Sequence, residues 1–361
     1  SDGKRREATL GKYPNMSLAD AREAAILTKQ GIRAGNDPIQ DRSKPDLPEI
    51  ETVEQIFIDW YETDLAKRLK HPGIPRRIYW REIHSAIGTH LIDEVTPRDV
   101  RAILQKVQDS DRPSIANDTL LYLKQLFRHG IKLGLCQNNP ATAFNVVDAG
   151  GVELSRDRAL SVEEIEQVFS VFSENISSFG RENYLACCLF LVLGVRKSEL
   201  CDACWSEFDL ESGVWDLPRE RSKTGAAISI PLPSQAVTWL KTLHGYACGS
   251  PYVFPARRAS KNPHMGPDTL NRAISKLFGK EPGRAKKPPN KMAGLEHFTV
   301  HDLRRTFRSL AASLGVPSHV AERCLNHKLK GVEGIYDRHD YFEERREAHQ
   351  KVGDLLEAIL Q

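Results

Sequence analysis

The stretch 299–314 combines charged and titratable side chains with a regular apolar stripe. The stripe recurs at steps of four, three and four residues, which predicts one buried helix face, formed by Leu303, Phe307, Leu310 and Leu314. Arg304 lies about 100° round the helix from Leu303, at the edge of that face. Its guanidinium can therefore be half buried and aimed into a cleft, where an always-charged, planar fork suits a phosphate. Taken alone, the stretch is equally compatible with a basic, solvated helix face.

Five further residues of types that can act on a phosphodiester stand in short motifs of the same half of the chain. They are Arg196 in Leu193-Gly-Val-Arg-Lys-Ser-Glu-Leu200, Lys223 in Ser222-Lys-Thr-Gly225, His301 in His301-Asp-Leu-Arg304, His327 in Leu325-Asn-His327, and Tyr336 nine residues beyond His327. A phenol has a pKa of about 10, so tyrosine is a poor nucleophile at neutral pH unless cationic groups surround it. The other motifs supply such cations, together with proton donors and acceptors.

Length and charge limit the classes of protein. A chain of 361 residues predicts two or three domains with a sizeable core. The net charge is only +3, so nucleic-acid binding has to be argued from local clusters of charge. No apolar run reaches the roughly 18 residues of a membrane span, and the longest, 184–195, predicts a buried core helix. We see no signal peptide, and because the chain starts at Ser1 we expect a trimmed or processed fragment.

The seven cysteines are scattered and odd in number, which is typical of free thiols in a reducing cytoplasm. Cys201 and Cys204 form an isolated Cys-x-x-Cys pair with no second pair nearby. A structural zinc site needs four ligands. We therefore expect two packed thiols here and no metal site.

Five segments follow from the distribution of helix signals, prolines and glycines. We expect a short arm-like remnant at 1–35, a proline-rich linker at 36–50, an all-helical domain at 51–145, a hinge at 146–159 and a mostly helical domain at 160–361. In the last domain, 214–217 and 227–230 predict a hairpin around Lys223. The fold class is therefore mainly α with a small antiparallel β-sheet.

Basic residues cluster twice in the predicted helical domain. The first cluster has no acidic residue within it and provides the candidates Arg68, Lys70, Arg76 and Arg77. The second recurs at steps of four along one predicted helix and consists of Lys124, Arg128 and Lys132. Such a ridge matches the spacing of a phosphate backbone, although solvated lysine and arginine faces look the same in a sequence. The basic stretch 276–291 has the same two interpretations.

The motifs in this order resemble those of the tyrosine recombinases, also called phage integrases. The resemblance covers most of the chain and rests on Gly-x-Arg-x-x-Glu-Leu, the hairpin lysine, His-x-x-Arg, Leu-x-His and then tyrosine. Gly11-Lys-Tyr-Pro14, followed by Ser-Leu-Ala-Asp-Ala-Arg22, is similar to the end of the arm-type DNA-binding domain of prophage and genomic-island integrases. The closing Tyr336-Asp-Arg-His-Asp-Tyr341 resembles the same subgroup.

The resemblance implies a helical core-binding (SAM-like) domain and an α+β catalytic domain with the DNA breaking-rejoining fold. It also implies that Tyr336 attacks a DNA phosphodiester and forms a 3′-phosphotyrosyl link, with Arg196 and Arg304 holding the non-bridging oxygens. Lys223 would protonate the departing 5′ oxygen, His301 would accept the proton of the tyrosine, and His327 would hydrogen-bond a non-bridging oxygen. Because two arginines supply the positive charge, we expect neither a metal nor another cofactor.

Several assignments have rivals by spacing alone. Arg305 returns to the helix face of His301 and competes with Arg304, and Tyr341 competes with Tyr336. Lys197 and Lys241 compete with Lys223. Taken singly, His327 is also typical of a helix C-terminal residue. Glu199, three residues after Arg196, could orient that guanidinium.

The resemblance further implies partners and a location. We expect a C-shaped clamp on double-stranded DNA attachment sites, a homotetramer on DNA, no membrane contact, and a cytoplasmic, nucleoid-associated bacterial protein that integrates or excises a mobile element. A directionality factor (excisionase) and a DNA-bending protein are partners that the resemblance allows. We expect Leu355, Leu356 and Ile359 to be exposed in a short tail that docks on a neighbouring protomer. The alternatives are DNA relaxation as in type IB topoisomerases, or a non-enzymatic DNA-binding protein on the same scaffold.

Overall fold

The computed structural model describes residues 9–11, 14–34, 50–258, 262–281, 283, 285–327 and 339–360. The chain divides into two compact units, Ser1–Leu154 and Ser155–Gln361. The boundary between the units falls within the segment 146–159, where the sequence predicts a hinge. The described residues are mainly helical with a small antiparallel sheet, which confirms the predicted fold class.

In its described part, the first unit contains helices joined by loops, with one isolated β-bridge between Thr52 and Leu91. Its helices are α1 (Leu18–Arg33), α2 (Val53–Trp60), α3 (Ala66–Arg68), α4 (Gly73–Ile78), α5 (His84–Ile87), α6 (Pro97–Gln108) and α7 (Pro113–Lys132). Wider π-helical turns at Tyr61–Leu65 and Tyr79–Ile83 connect α2 to α3 and α4 to α5. Thr52 caps α2 by accepting a hydrogen bond from the Gln55 backbone N–H, and Pro97 opens α6 as the sequence predicts.

The second unit combines helices with a short sheet. Its elements are α8 (Val162–Glu174), α9 (Ile176–Phe179), α10 (Arg181–Leu193), α11 (Lys197–Cys201), β1 (Phe208–Asp209), β2 (Val214–Leu217), β3 (Ile228–Pro231), α12 (Ser234–Tyr246), α13 (Thr269–Leu277), α14 (Val300–Ser313), α15 (Ser318–Cys324) and α16 (Phe342–Ile359). The strands pair in the order β1-β2-β3, all antiparallel, with Trp215 opposite Ile230. The loop between β2 and β3 presents Lys223 at its tip.

Helix α10 is the centre of this unit, because its residues from 183 to 193 are all buried. It ends at Gly194, whose φ of 59° lies in the left-handed region that favours glycine. Phe307 of α14 packs directly on this glycine, and a Cβ there would lie 2.4 Å from the phenylalanine ring. The close approach brings α14, with Arg304, to the end of α10, which precedes Arg196.

Replacing Gly194 by alanine should therefore destabilise the second unit by more than the cost of a left-handed alanine alone. We expect Gly194→Ala to lower the free energy of unfolding by about 2–4 kcal/mol, the combined cost of a left-handed alanine and of overpacking. Gly315→Ala is the control, because Gly315 has a φ of 75° and open space around the new methyl group. The control should lose only about 1–2 kcal/mol. Equal losses in urea titrations would mean that the contact with Phe307 contributes nothing.

Helix α16 packs into its own unit, and the expectation of an exposed C-terminal tail is wrong. Leu356 is fully buried, and Leu355 and Ile359 are half-buried against the same core. These residues belong to the apolar face of a helix that contacts α10, α12, α14, α15 and β3 of the same unit. The buried guanidinium of Arg345 ties the start of the helix to the sheet, because it donates to the backbone carbonyl of Ser229.

His349, on α16, is fully buried against Phe307, and its Nδ1 lies 2.9 Å from the backbone carbonyl of Val192. Burial lowers the pKa of His349 to about 4. In the unfolded chain His349 therefore becomes protonated below a pH of about 6.5, whereas in the folded chain it stays neutral down to a pH of about 4. This residue's contribution makes folding stability decrease as pH falls through that window.

Replacing His349 by glutamine should flatten this dependence, because an amide can still donate to the Val192 carbonyl but does not titrate. We expect the unfolding free energy of the wild type to fall by up to about 1.4 kcal/mol more per pH unit than that of His349→Gln. Denaturant titrations between pH 6.5 and pH 4 measure the difference. His244→Gln removes an exposed histidine and serves as the control. A slope that is unchanged in His349→Gln would contradict the assignment.

In the part of the chain that the structure describes, no helix is long and apolar enough to cross a membrane. The same residues contain no group of three or more histidine, cysteine, aspartate or glutamate side chains placed to hold a metal ion. Cys201 is buried and Cys204 half-buried, and both are free thiols.

Candidate active site

Arg196 is placed by the turn between α10 and α11, where it is the residue that precedes the first turn of α11. Its Nη1 donates to Oε1 of Glu199 at 3.0 Å, and its backbone N–H donates to Oε2 of the same carboxylate at 2.9 Å. Glu199 is buried, whereas Arg196 is half-buried. One fixed carboxylate thus orients both the backbone and the guanidinium, as its spacing in the sequence suggests.

Arg304 is more deeply buried than the predicted half-burial, with only 4% of its surface exposed. The guanidinium donates to two backbone carbonyls, from Nη1 to Gly194 at 2.7 Å and from Nη2 to Leu325 at 2.5 Å. Burial and the neighbouring charge of Arg196 lower the pKa of Arg304 to about 10. The group is therefore a fixed cation at neutral pH.

Both guanidiniums meet at the turn that follows α15. Nη2 of Arg196 donates to the Asn326 carbonyl at 3.3 Å, and Nη2 of Arg304 donates to the preceding carbonyl, that of Leu325. Two cations held side by side against successive carbonyls repel one another. An anion bound between them would relieve that repulsion, which makes the pair a site for a phosphate.

His327 completes this group through a chain of hydrogen bonds. Its Nδ1 lies 2.7 Å from Oε2 of Glu322, and its Nε2 lies 2.8 Å from Nη2 of Arg304. Because the carboxylate accepts from Nδ1–H, the Nε2 of a neutral ring faces the guanidinium as an acceptor. Burial raises the pKa of Glu322, but hydrogen bonds from His327 and Arg308 outweigh it, so the net pKa is lowered. Glu322 is thus an anion that fixes the orientation of the His327 ring.

His301 lies in the first turn of α14, one turn before Arg304. Its surface is largely exposed, yet partial desolvation lowers the pKa of its imidazole, and the charges of Arg305 and Arg304 lower it further. A neutral imidazole at pH 7 can accept a proton. Lys223, exposed at the hairpin tip, adds to the same depression, so its charge is felt at His301.

The hairpin that carries Lys223 is held by an arginine that the sequence analysis did not single out. Nη2 of Arg221 donates to the backbone carbonyl of Glu199 at 2.6 Å, and its Nε lies 2.9 Å from Glu207. The hairpin is therefore joined to the helix that follows Arg196. The partners lie 22 and 14 residues from Arg221, so no local sequence pattern could have revealed the contacts.

Two of the residues that compete by spacing have carboxylate partners of their own. Arg305 forms an ion pair with Asp302 at 2.6 Å, and Lys197 forms one with Asp268 at 3.3 Å. Lys241 is exposed on α12.

The two candidate tyrosines differ in what the structure describes. Tyr341 is half-buried at the start of α16, with its ring 4.9 Å from that of His319 and 4.6 Å from that of His339. Its side chain packs against the hydrophobic core of the second unit. Tyr336 lies outside the described residues.

All seven candidate DNA-contact residues lie in the first unit. Lys124 is half-buried. The other six are exposed, and they are Arg68, Lys70, Arg76, Arg77, Arg128 and Lys132. Lys124, Arg128 and Lys132 share one helix, α7, as the sequence predicts. Arg68 differs from the others because Asp64 binds its guanidinium at 2.9 Å and 3.0 Å. An exposed pair of this kind can open at little cost to contact an anion.

Three segments of the chain match models of protein families. Residues 158–343 match the Phage integrase family, residues 53–146 the Phage integrase central domain, and residues 1–45 an Arm DNA-binding domain. Prophage integrase IntS of Escherichia coli (strain K12) is 26% identical over 373 residues, which cover 99% of this chain and 88% of that protein. The integrase of Shigella phage Sf6 is 26% identical over 365 residues, with the same coverage of 99% and 88%.

Among solved structures, a lambda integrase tetramer bound to a Holliday junction is similar with a TM-score of 0.60 and 21% identity. The match covers 90% of this chain and 88% of that one, and it extends the likeness in fold over both units. The three family models together match most of the chain, and the two relatives are similar over nearly all of it. The chain therefore belongs to the phage integrase family and is a tyrosine recombinase of the prophage integrase subgroup.

Proposed function

We propose that this integrase cuts and rejoins double-stranded DNA attachment sites through a 3′-phosphotyrosine intermediate on Tyr336, and so integrates or excises a mobile element. The observation that carries the proposal is the pair of guanidiniums, Arg196 and Arg304, held on successive carbonyls of one turn. Their positive charge would bind a phosphate and stabilise the negative charge that increases on it in the transition state.

Each proton that moves in the proposed reaction has a residue to accept or to donate it. The phenolic oxygen of Tyr336 forms a bond to phosphorus as the bond from phosphorus to the 5′ oxygen breaks. The proton of the phenol goes to His301, whose lowered pKa keeps it neutral, and the 5′ oxygen takes a proton from Lys223. His327, held by Glu322, would hydrogen-bond a non-bridging oxygen. Attack of a 5′ hydroxyl on the phosphotyrosine then reverses these steps and rejoins the strand.

The partners follow from the family and from the chemistry. Lambda integrase has been seen as a dimer on a core site and as a tetramer on a Holliday junction, and we propose a homotetramer on DNA here. Segment 1–35 would contact arm sites, 51–145 and 160–361 would hold the core site, and 36–50 and 146–159 would connect them. A directionality factor (excisionase) and a DNA-bending protein would set the direction of exchange. A chromosomal substrate implies a cytoplasmic, nucleoid-associated enzyme.

The cationic ridge on α7 should contribute to DNA affinity through phosphate contacts. We expect replacement of Lys124, Arg128 and Lys132 by alanine to reduce the slope of log Kobs against log salt by about 2.7, because each phosphate contact contributes about 0.9. Replacing Arg98 and Arg101, which are exposed on α6, should leave the slope unchanged. Fluorescence anisotropy across a salt series measures both slopes. An unchanged slope for the α7 variant would place the ridge away from DNA.

Topology assays separate recombination from relaxation. A supercoiled plasmid with one attachment site and a plasmid with two partner sites are incubated with the protein and its accessory factors. Recombination predicts deletion or inversion products only from the plasmid with two sites. Relaxation of both plasmids without exchanged products would support the topoisomerase-like alternative.

A further inference from the structure

Asn326 lies in the turn at which Arg196, Arg304 and His327 meet. Its φ of 49° lies in the left-handed region, which asparagine adopts more readily than most residues. Its carbonyl accepts a hydrogen bond from Arg196 at 3.3 Å, while the residues on either side contact Arg304. The backbone of Asn326 is therefore already part of the frame for both guanidiniums.

The side chain of Asn326 reaches in the other direction, to the β2–β3 hairpin. Its Nδ2 donates to Oγ of Ser222 at 3.2 Å, and its Oδ1 accepts from Oγ1 of Thr224 at a longer 3.5 Å. The two hydroxyls are themselves 2.9 Å apart, and Ser222 is buried. One amide thus contacts both neighbours of Lys223.

This arrangement matters because Lys223 itself is exposed and has a long, flexible side chain. A general acid has to come within about 3 Å of the oxygen that leaves. Hydrogen bonds to the residues before and after Lys223 fix its backbone relative to the turn that holds the arginines. Removing the amide would keep the lysine and the contacts of Arg221 but would remove this restraint on the lysine backbone.

We infer that Asn326 is a positioning residue that sets the hairpin tip, and with it the Lys223 ammonium, over the phosphate held by Arg196 and Arg304. The inference rests on the proposed role of Lys223 as general acid. It assigns to the asparagine side chain a part in the departure of the 5′ oxygen, and no part in the attack on phosphorus.

Asn326→Gly separates the amide from the backbone, because glycine adopts a φ of 49° without strain. Single-turnover cleavage of a nicked suicide duplex is measured with an ordinary 5′ oxygen and with a 5′-bridging sulfur at the scissile phosphate. A thiolate has a conjugate-acid pKa of about 8.5 and leaves without a proton. We expect Asn326→Gly to cleave the oxygen substrate about 10²-fold more slowly than the wild type, and the sulfur substrate at nearly the wild-type rate.

Cleavage of the same two substrates by Lys223→Ala tests the role of Lys223 as general acid separately from the role of Asn326. Rescue of both variants by sulfur supports the inference. Rescue of Lys223→Ala alone, with Asn326→Gly slow on both substrates or unimpaired on oxygen, overturns the inference and leaves the general acid in place. Failure of sulfur to rescue Lys223→Ala overturns the role of the lysine and the inference with it.

A second pair of variants guards against indirect effects on folding. Asn326→Ala also lacks the amide but places a methyl group at a left-handed φ, so it should have a lower Tm than Asn326→Gly and the same sulfur rescue. Ser222→Ala combined with Asn326→Gly should lose less than the sum of the two single losses, because both changes remove the hydrogen bond from Asn326 Nδ2 to Ser222 Oγ. Fully additive losses would overturn the inference.

Discussion

Arg304→Lys is expected to cleave a suicide duplex about 10²–10³-fold more slowly than the wild type, the usual loss when one preorganised donor to a transition-state oxyanion is removed. Lysine keeps the charge but presents no planar fork, so it cannot bind two carbonyls and still point at a phosphate. Arg304 makes both of those carbonyl contacts while 4% exposed. The measurement is the single-turnover rate at saturating protein, below the Tm of the variant.

Arg305→Lys is the matched control, because the two arginines are adjacent on α14 and compete by spacing in the sequence. Arg305 is paired with Asp302, and a lysine at that position can keep an ion pair with the same carboxylate. We expect a rate within a few-fold of the wild type. Equal losses in the two variants would mean that general basicity of the helix, and not one aimed guanidinium, supports cleavage.

Tyr336→Phe should abolish the covalent complex between protein and DNA while leaving DNA binding intact. The substitution removes only the nucleophilic oxygen, and no other group in the proposed mechanism can form the bond to phosphorus. A denaturing gel of suicide-substrate reactions shows the complex as a shifted band. We expect no band from this variant at times when the wild type has converted most of the substrate.

Tyr341→Phe tests the rival nucleophile in the same gel. Tyr341 packs against the core of the second unit and lies next to two histidine rings, so its loss should affect stability more than chemistry. We expect the covalent band to form at a rate near that of the wild type. A band that persists in Tyr336→Phe and disappears in Tyr341→Phe would reverse the assignment.

The local motifs predicted the fold class and the hairpin because each rests on short-range signals. Alternation in 214–217, capping residues and apolar steps of three and four are visible within a few positions. The burial of Leu356 was not predicted, because an apolar helix face in the sequence does not show whether its own unit or another protein covers it. Arg304 is likewise more buried than an edge position implies, since α10 and the turn after α15 close over it.

The residues that connect the site could not be predicted, because their contacts are distant in sequence. Asn326 contacts Ser222 and Thr224 from 104 and 102 residues away. Glu322 precedes His327 by five residues, but an acidic residue on a short helix has many interpretations until its partner is known. Sequence therefore indicates which groups could react, whereas the structure shows which groups hold them.

The most direct measurement is the identity of the amino acid that carries DNA after cleavage without divalent metal. The protein is incubated with a suicide duplex in excess chelator, the complex is digested with protease and nuclease, and the nucleotide-bearing peptide is sequenced by mass spectrometry. We predict a 3′-phosphate attached to Tyr336. Attachment to Tyr341, attachment through a 5′-phosphate, or an adduct that forms only when a divalent ion is restored would contradict a phosphodiester activated by two guanidiniums for attack by that phenol.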